Sequence, residues 1–348
     1  MKKKILSFFL LLLLAISVFA VEVSELPELG RPNFIQVDGD ELFVTDQYTV
    51  FIYSLNPVRL KNKFGRKGEG PGEFTTWPFV RVSRDSILCT TITRCLWFTR
   101  SGNLINEKRL DKLFMLMPAG ENFIAIGMQT DIQKRTVTKI LYLLNPKLGK
   151  VKTLYRVLAD SPLVLGGDTG GEEYKMLYHY FGFLAHKNKI FVADSRKGLF
   201  IDVFNTNGEH LYPINHEIEE KVKVSESYKR KAMNVFKIVL PQYYEIKRKS
   251  SFTFYEYFPP MKQFWIDDNK IYVTTYKQKD DKNELIILDI KGNILKRLFL
   301  PFKSMQDWRI MGAVDPYTVH QGVLYELVEN EDTEMWELHT TDLSSVKE

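Results

Sequence analysis

A polar or small residue followed by a short apolar run recurs six times along the chain. The copies are Glu41-Leu42-Phe43-Val44, Ser86-Ile87-Leu88-Cys89, Asn122-Phe123-Ile124-Ala125, Lys189-Ile190-Phe191-Val192, Lys270-Ile271-Tyr272-Val273 and Gly322-Val323-Leu324-Tyr325. Such runs, rich in β-branched and aromatic residues and bounded by turn formers, read as strands. Their first apolar positions are 42, 87, 123, 190, 271 and 323, so the steps are 45, 36, 67, 81 and 52 residues. The shorter steps match the roughly 40 to 50 residues of a four-stranded propeller blade, and the longer ones mark insertions.

A second landmark keeps the same order. Phe98 to Leu104, Phe204 to His210 and Leu288 to Ile294 each place a glycine (Gly102, Gly208, Gly292) at one offset, where a hairpin needs positive φ. Asn56-Pro57 and Asn145-Pro146 through Gly149 stand at the equivalent turns of the first and third repeats. The pattern predicts an all-β chain, a six-bladed β-propeller with innermost strands near 33–38, 78–83, 113–118, 180–185, 262–267 and 309–314. Only three strands fit the last blade. Residues 21–29 are therefore expected to supply its fourth strand and close the ring, which removes exposed sheet edges.

Two insertions interrupt the repeat. The first, near 158–178, contains Gly166-Gly167-Asp168-Thr169-Gly170-Gly171 and reads as a loop. The second, near 213–260 between blades four and five, carries a predicted helix. Ser225 can cap it, Tyr228, Ala232, Val235, Phe236, Val239 and Leu240 recur at spacings of three and four, and Pro241 ends it.

Residues 1–20 read as a Sec signal peptide: Lys2, Lys3 and Lys4 precede an apolar run that ends at Phe19-Ala20. The run is shorter than the roughly 20 residues a membrane span requires. Cleavage after Ala20 would leave residues 21–348 as one propeller domain, secreted or periplasmic, with no stable membrane anchor. The chain carries a net charge of +5, and three of its lysines lie in the leader, so the remainder is close to neutral. That balance is not a nucleic-acid-binding protein's. Two cysteines, Cys89 and Cys95, are too few for a disulfide scaffold. A three-residue turn at 91–93 would set them opposite each other, as a possible disulfide or as two small buried thiols.

The segment Phe64-Gly65-Arg66-Lys67-Gly68-Glu69-Gly70-Pro71-Gly72-Glu73-Phe74 resembles the linker between blades of NHL-type six-bladed propellers. The helix-bearing insertion followed by Phe258-Pro259-Pro260-Met261 and by Asp267 to Val273 is similar to the fifth-blade region of secreted bacterial propellers related to the NHL and TolB-like groups. The resemblance covers roughly residues 30 to 343. Val44-Thr45-Asp46 and Val192-Ala193-Asp194 keep the group's Val-x-Asp after the second strand, whereas blades three and six lack it. It implies the fold and leaves the activity open, because such propellers include lyases, lactonases and plain binding platforms.

No catalytic signature stands out. There is no Gly-x-Ser-x-Gly elbow and no P-loop, no cofactor motif is present, and the six histidines form no i, i+4 metal pair. Asp46 and Asp194 read as acceptors for the N–H groups of their own turns. The starts of the innermost strands carry Trp77, His179, Lys262, Trp308 and Arg309, with no carboxylate among them. This set points to a small anionic or aromatic ligand, since Arg and Lys bind carboxylates and Trp offers a flat apolar face. The expected function is non-catalytic binding of such a ligand, or of a protein partner, on the face that carries the inter-blade connections. A propeller enzyme of the lyase or lactonase kind and a subunit of a cell-envelope complex are the alternatives.

Overall fold

The computed structural model describes residues 21–346 apart from 84, 132, 135, 160–172, 218–219, 240–250 and 303–316. It is an all-β ring of six four-stranded antiparallel sheets. Blades one to five span 32–64, 79–109, 113–158, 181–216 and 263–300, and blade six spans 317–342 with Glu22–Leu26 as its outer strand. That N-terminal strand runs antiparallel to Met335–Asp342, with Glu22 opposite Thr340 and Leu26 opposite Trp336. The ring closes as the repeat count requires.

The core is divided among six seams. Each second strand is apolar at successive positions because its two faces look into different seams. In blade one, Leu42 and Val44 pack towards blade six while Phe43 packs towards blade two. In blade two, Ile87 and Cys89 face blade one and Leu88 faces blade three. Burial on both faces is what turns the expected alternation into a continuous apolar run.

The same register decides the cysteines. Cys95 opposes Thr90, and Cys89 opposes Leu96, so the two thiols lie on opposite faces of the sheet and in different seams. The Thr91 N–H bonds the Arg94 carbonyl at 2.8 Å, so the hairpin closes on two residues, Ile92 and Thr93, where the disulfide reading needs three. Both cysteines are free and buried, and burial pushes the Cys95 thiol up to about 12. Blade six departs from expectation too. Its innermost strand is Tyr317–His320, because Gln321 and Gly322, both at positive φ, make a two-residue hairpin to Val323. The second insertion starts later than 213, since His210–His216 is the outer strand of blade four and Pro213 is tolerated on that edge.

The glycine-rich linker folds as a compact turn around Phe74, which is fully buried. The Phe74 N–H donates to the Arg66 carbonyl at 2.8 Å, its own carbonyl accepts from the Gly68 N–H at 3.1 Å, and a Cβ on Gly65 would lie 2.3 Å from the Phe74 ring. Arg94 of blade two pins the turn through the carbonyls of Glu69 (3.1 Å) and Glu73 (2.8 Å). Asp46 does not bond its own turn. Its Oδ2 accepts the N–H groups of Gly30 and Arg31, fastening the connection that enters blade one. Asp194 does take its own turn, through Arg196 N–H at 3.2 Å.

Because blades one to five run from inner to outer strand in sequence, and blade six does so until the N-terminal strand completes it, all inter-blade connections and all turns between second and third strands lie at one face. Both insertions therefore sit there, together with the glycine-rich linker.

Two changes test ring closure. Leu26 is 1% exposed in the seam between blades six and one. Leu26→Ala is expected to lower the unfolding free energy by about 3 kcal/mol in chemical denaturation. Deletion of residues 21–29 should lower it further, and a truncated chain as stable as the full one would place closure elsewhere.

Candidate functional site

The two insertions join into one cap. Glu173–Lys175 of the first pairs in parallel with Ser251–Thr253 of the second, with Glu173 opposite Ser251 and Lys175 opposite Thr253. Helix α1 (Glu226–Val239) starts at Ser225, whose Oγ accepts the Tyr228 N–H at 3.1 Å. Its buried stripe is Tyr228, Ala232 and Phe236. Tyr228 and Ala232 pack with Leu177 of the first insertion and with Phe254, Tyr255 and Phe258, and Phe236 meets Phe252 at 5.5 Å. Most of the insertion's described aromatics thus form the cap's own core. Tyr257 alone among them is exposed, at 38%.

A cavity of about 870 Å³ lies beneath this cap, over the seam between blades four and five. Its floor is the turn at Ser195–Lys197, the end of the second strand of blade five (Thr275, Tyr276, Lys277), and Glu284 and Arg297 on the neighbouring strands. Its roof is His179, Lys221 and Tyr255 to Pro260. Flat faces dominate: Phe258 stacks on Tyr276 at 4.3 Å, and His179 lies 4.6 Å from the Tyr255 ring.

Charges of the two signs balance around the wall. Arg196, Lys221, Lys277 and Arg297 line it with Glu217, Glu220, Glu256 and Glu284. Most are committed. Glu284 is buried and accepts from Thr275 Oγ1 at 2.7 Å and Arg297 Nη1 at 2.9 Å. Lys277 pairs with Glu220 at 2.7 Å, which holds the Glu220 carboxyl below its usual range. Arg196 bonds Asp194 at 2.8 Å. A carboxylate saturated by a hydroxyl and a guanidinium is poorly placed to take a proton from a substrate. The arrangement suits recognition by stacking and hydrogen bonding.

The residues expected from the strand starts meet only in part. His179 lines the cavity. Lys262 stands behind it, its Nζ 5.5 Å from the centre of the Tyr276 ring. Trp77 is 55% exposed in the glycine-rich connection and does not reach the cavity. Trp308 and Arg309 lie outside the described residues, as does the expected leader at 1–20. The expected absence of carboxylates does not extend to the cavity, because the insertion and the strands of blade five bring four glutamates to it. Sequence reasoning missed Tyr276, Lys277, Glu284 and Arg297; each reads as an ordinary strand residue until the cap is placed above it.

At the opposite mouth of the ring, Asp267 of blade five is held between neighbours. His320 of blade six bonds its Oδ1 through Nδ1 at 3.1 Å, and the Gln321 N–H reaches Oδ2 at 2.5 Å. The Asp267 hydrogen bond raises the His320 pKa, helped by the charges of Asp38 and Asp40. His186 of blade four is shifted down, first by burial and then by Lys187, against the pull of Asp267 and Asp268.

A folded pKa above the unfolded value gives stability that is complete below about pH 6.5 and is lost as pH rises through the folded value. His320→Gln is therefore expected to lower the melting temperature by a few degrees at pH 5.5 and by less at pH 8.5. His186 has the opposite sign: its unfolded form takes the proton first, so His186→Gln should lessen the loss of stability on acidification. Scans of both variants across that range check the assignment, and an unchanged pH profile in each would refute it. In the cap, Phe236→Asp buries an unpaired charge. The cap should become protease-sensitive while the ring's cooperative melting persists, as limited proteolysis followed by mass mapping would show.

No family model matches the chain, and no curated protein matches it. Among solved structures, a member of the DUF4221 family from Bacteroides vulgatus is similar over 93% of this chain and 98% of that one, with 12% identity and a TM-score of 0.51. The Neurospora crassa Pan2 WD40 domain aligns over 89% and 88% of the respective chains at 9% identity and a TM-score of 0.40. Kluyveromyces lactis Hsv2 aligns over 89% and 98% at 11% identity and 0.37. At these identities the likeness to the DUF4221 member is one of fold, and it carries the propeller assignment alone.

Proposed function

We propose that the chain is a non-catalytic binding module, secreted or periplasmic and of the NHL or TolB-like kind its linker resembles, that takes its ligand in the cavity beneath the cap. One observation carries this reading: the second insertion, tied by a parallel strand pair to the first although a whole blade separates them in sequence, roofs a cavity of about 870 Å³ over a rigid seam. Loops placed on a rigid scaffold are where recognition concentrates. The balanced charges favour a polar ligand of small net charge, and the Tyr276, Phe258 and Tyr255 rings favour one with a flat apolar face.

A thermal-shift screen of the mature protein against sugars, aromatic amino acids and aromatic dipeptides tests the reading. A hit should raise the melting temperature saturably and lose at least tenfold in affinity in a Tyr257→Ala, Lys221→Ala double variant, whose side chains line the cavity at its rim. NMR of the hit incubated with protein should show no turnover. Hits indifferent to the double variant would remove the cavity from the reading, and turnover would favour the lyase or lactonase alternative.

A further inference from the structure

Five of the six outer strands are blunted as edges. In Val58–Phe64, Leu104–Arg109, Lys150–Leu158, His210–His216 and Ile294–Leu300 the pairing with the third strand slips, leaving Lys61, Ile105, Val151 and Leu154, Leu211 and Leu295 without an opposite residue. Such bulges twist an edge away from any strand that approaches it. Four of these strands also carry two or three lysines or arginines, and the fifth, in blade four, carries Pro213.

The outer strand of blade six has none of these devices. Glu22–Leu26 pairs with Met335–Asp342 in unbroken register, and it contains no base and no proline. It ends its sheet, so alternate residues turn their N–H and C=O groups away from the one strand they pair with among the described residues. Its face towards blade five also offers contacts for side chains. Val23 and Glu25 lie on that face, opposite His339 and Glu337. Val23 is 51% exposed, and with Leu300, Pro301, Phe302 and Leu324 it lines a cleft of about 160 Å³ in the seam between blades five and six. The cleft has room for one aliphatic side chain. Glu25 is exposed, as is Glu22 on the other face, and no described residue pairs with either carboxylate. An added strand is held by its main chain and selected by its alternate side chains. Here the selection is for an apolar residue beside Val23 and, two residues away, a lysine or arginine beside Glu25.

We propose that blade six is a docking edge that takes up an extended strand of a partner protein along Glu22–Leu26, with an aliphatic side chain of that strand in the cleft and a basic one on Glu25. A second copy of this chain fits less well: two such edges would set four glutamates in one short ladder, and the other outer strands are bulged. The edge is separate from the cavity beneath the cap, and neither reading depends on the other.

The probe is an amidated peptide, fluorescein-Thr-Lys-Thr-Ile-Thr-Ile-Thr, followed by anisotropy with residues 21–348. It should bind saturably, and its counterpart with Glu in place of Lys should bind at least tenfold more weakly. Val23→Lys puts a base on the edge at a half-exposed position, so binding should be abolished while melting is unchanged. Glu25→Lys should reverse the order of the two peptides. The Tyr257→Ala, Lys221→Ala cavity variant should bind as the unaltered protein does. Absence of saturable binding, binding that survives Val23→Lys, an unreversed preference in Glu25→Lys or loss of binding in the cavity variant would overturn the proposal. A dimer in sedimentation that Val23→Lys dissociates would assign the edge to a second copy and overturn it as well.

Discussion

A sheet that is apolar on both faces cannot stand alone in water, and this constraint organises the whole molecule. Phe43 and its neighbours Leu42 and Val44 point into two different seams, and Ile87 and Leu88 do the same one blade further on. Every blade therefore needs a neighbour on each side, and the only finite arrangement that supplies one to all six is a closed ring. The borrowed strand Glu22–Leu26 follows from the same demand, because blade six would otherwise present an open edge beside a seam that Leu26 helps to fill.

Once the ring is closed, its strands have little freedom left, and variation is confined to the connections. The two long ones flank blade four on either side. They leave the same face and end near each other, so a short parallel pairing and one helix stripe suffice to join them. The cavity is a consequence of that junction. Its floor belongs to blades four and five, which the core between Phe191, Ile201, Phe264 and Ile286 holds rigidly, and its roof belongs to loops that can vary without disturbing any seam.

This division also explains what the sequence reveals. Glu41, Ser86, Asn122, Lys189 and Lys270 begin their strands where the apolar runs start, since double-sided burial writes a strong local signal. The innermost strand of blade six leaves a weaker local signal, because Tyr317–His320 is short and its hairpin is formed by Gln321-Gly322 instead of a turn-rich cluster. The cysteine register turned on one residue in the loop between Thr90 and Arg94, and a one-residue change moves a side chain to the other face. The cavity left almost no local trace. Tyr276, Glu284 and Arg297 acquire their role from a cap whose residues lie elsewhere in the chain, and no spacing rule links them.

The treatment of charge separates the structural groups from the functional ones. At the far mouth Asp38 and Glu41 are clasped by Arg100 at 2.5 Å each, and Asp267 is bonded by His320. Blade two shows how the fold accommodates a partly buried guanidinium when it is structural: Arg94, although its Nε is unpartnered, has Glu107 as counter-ion at 2.7 Å and the carbonyls of the glycine-rich linker around its other nitrogens. Arg81, on the same blade, has a single carbonyl and two aromatic faces. Arg81 is thus held by ring faces and one carbonyl where Arg94 is held by a counter-ion.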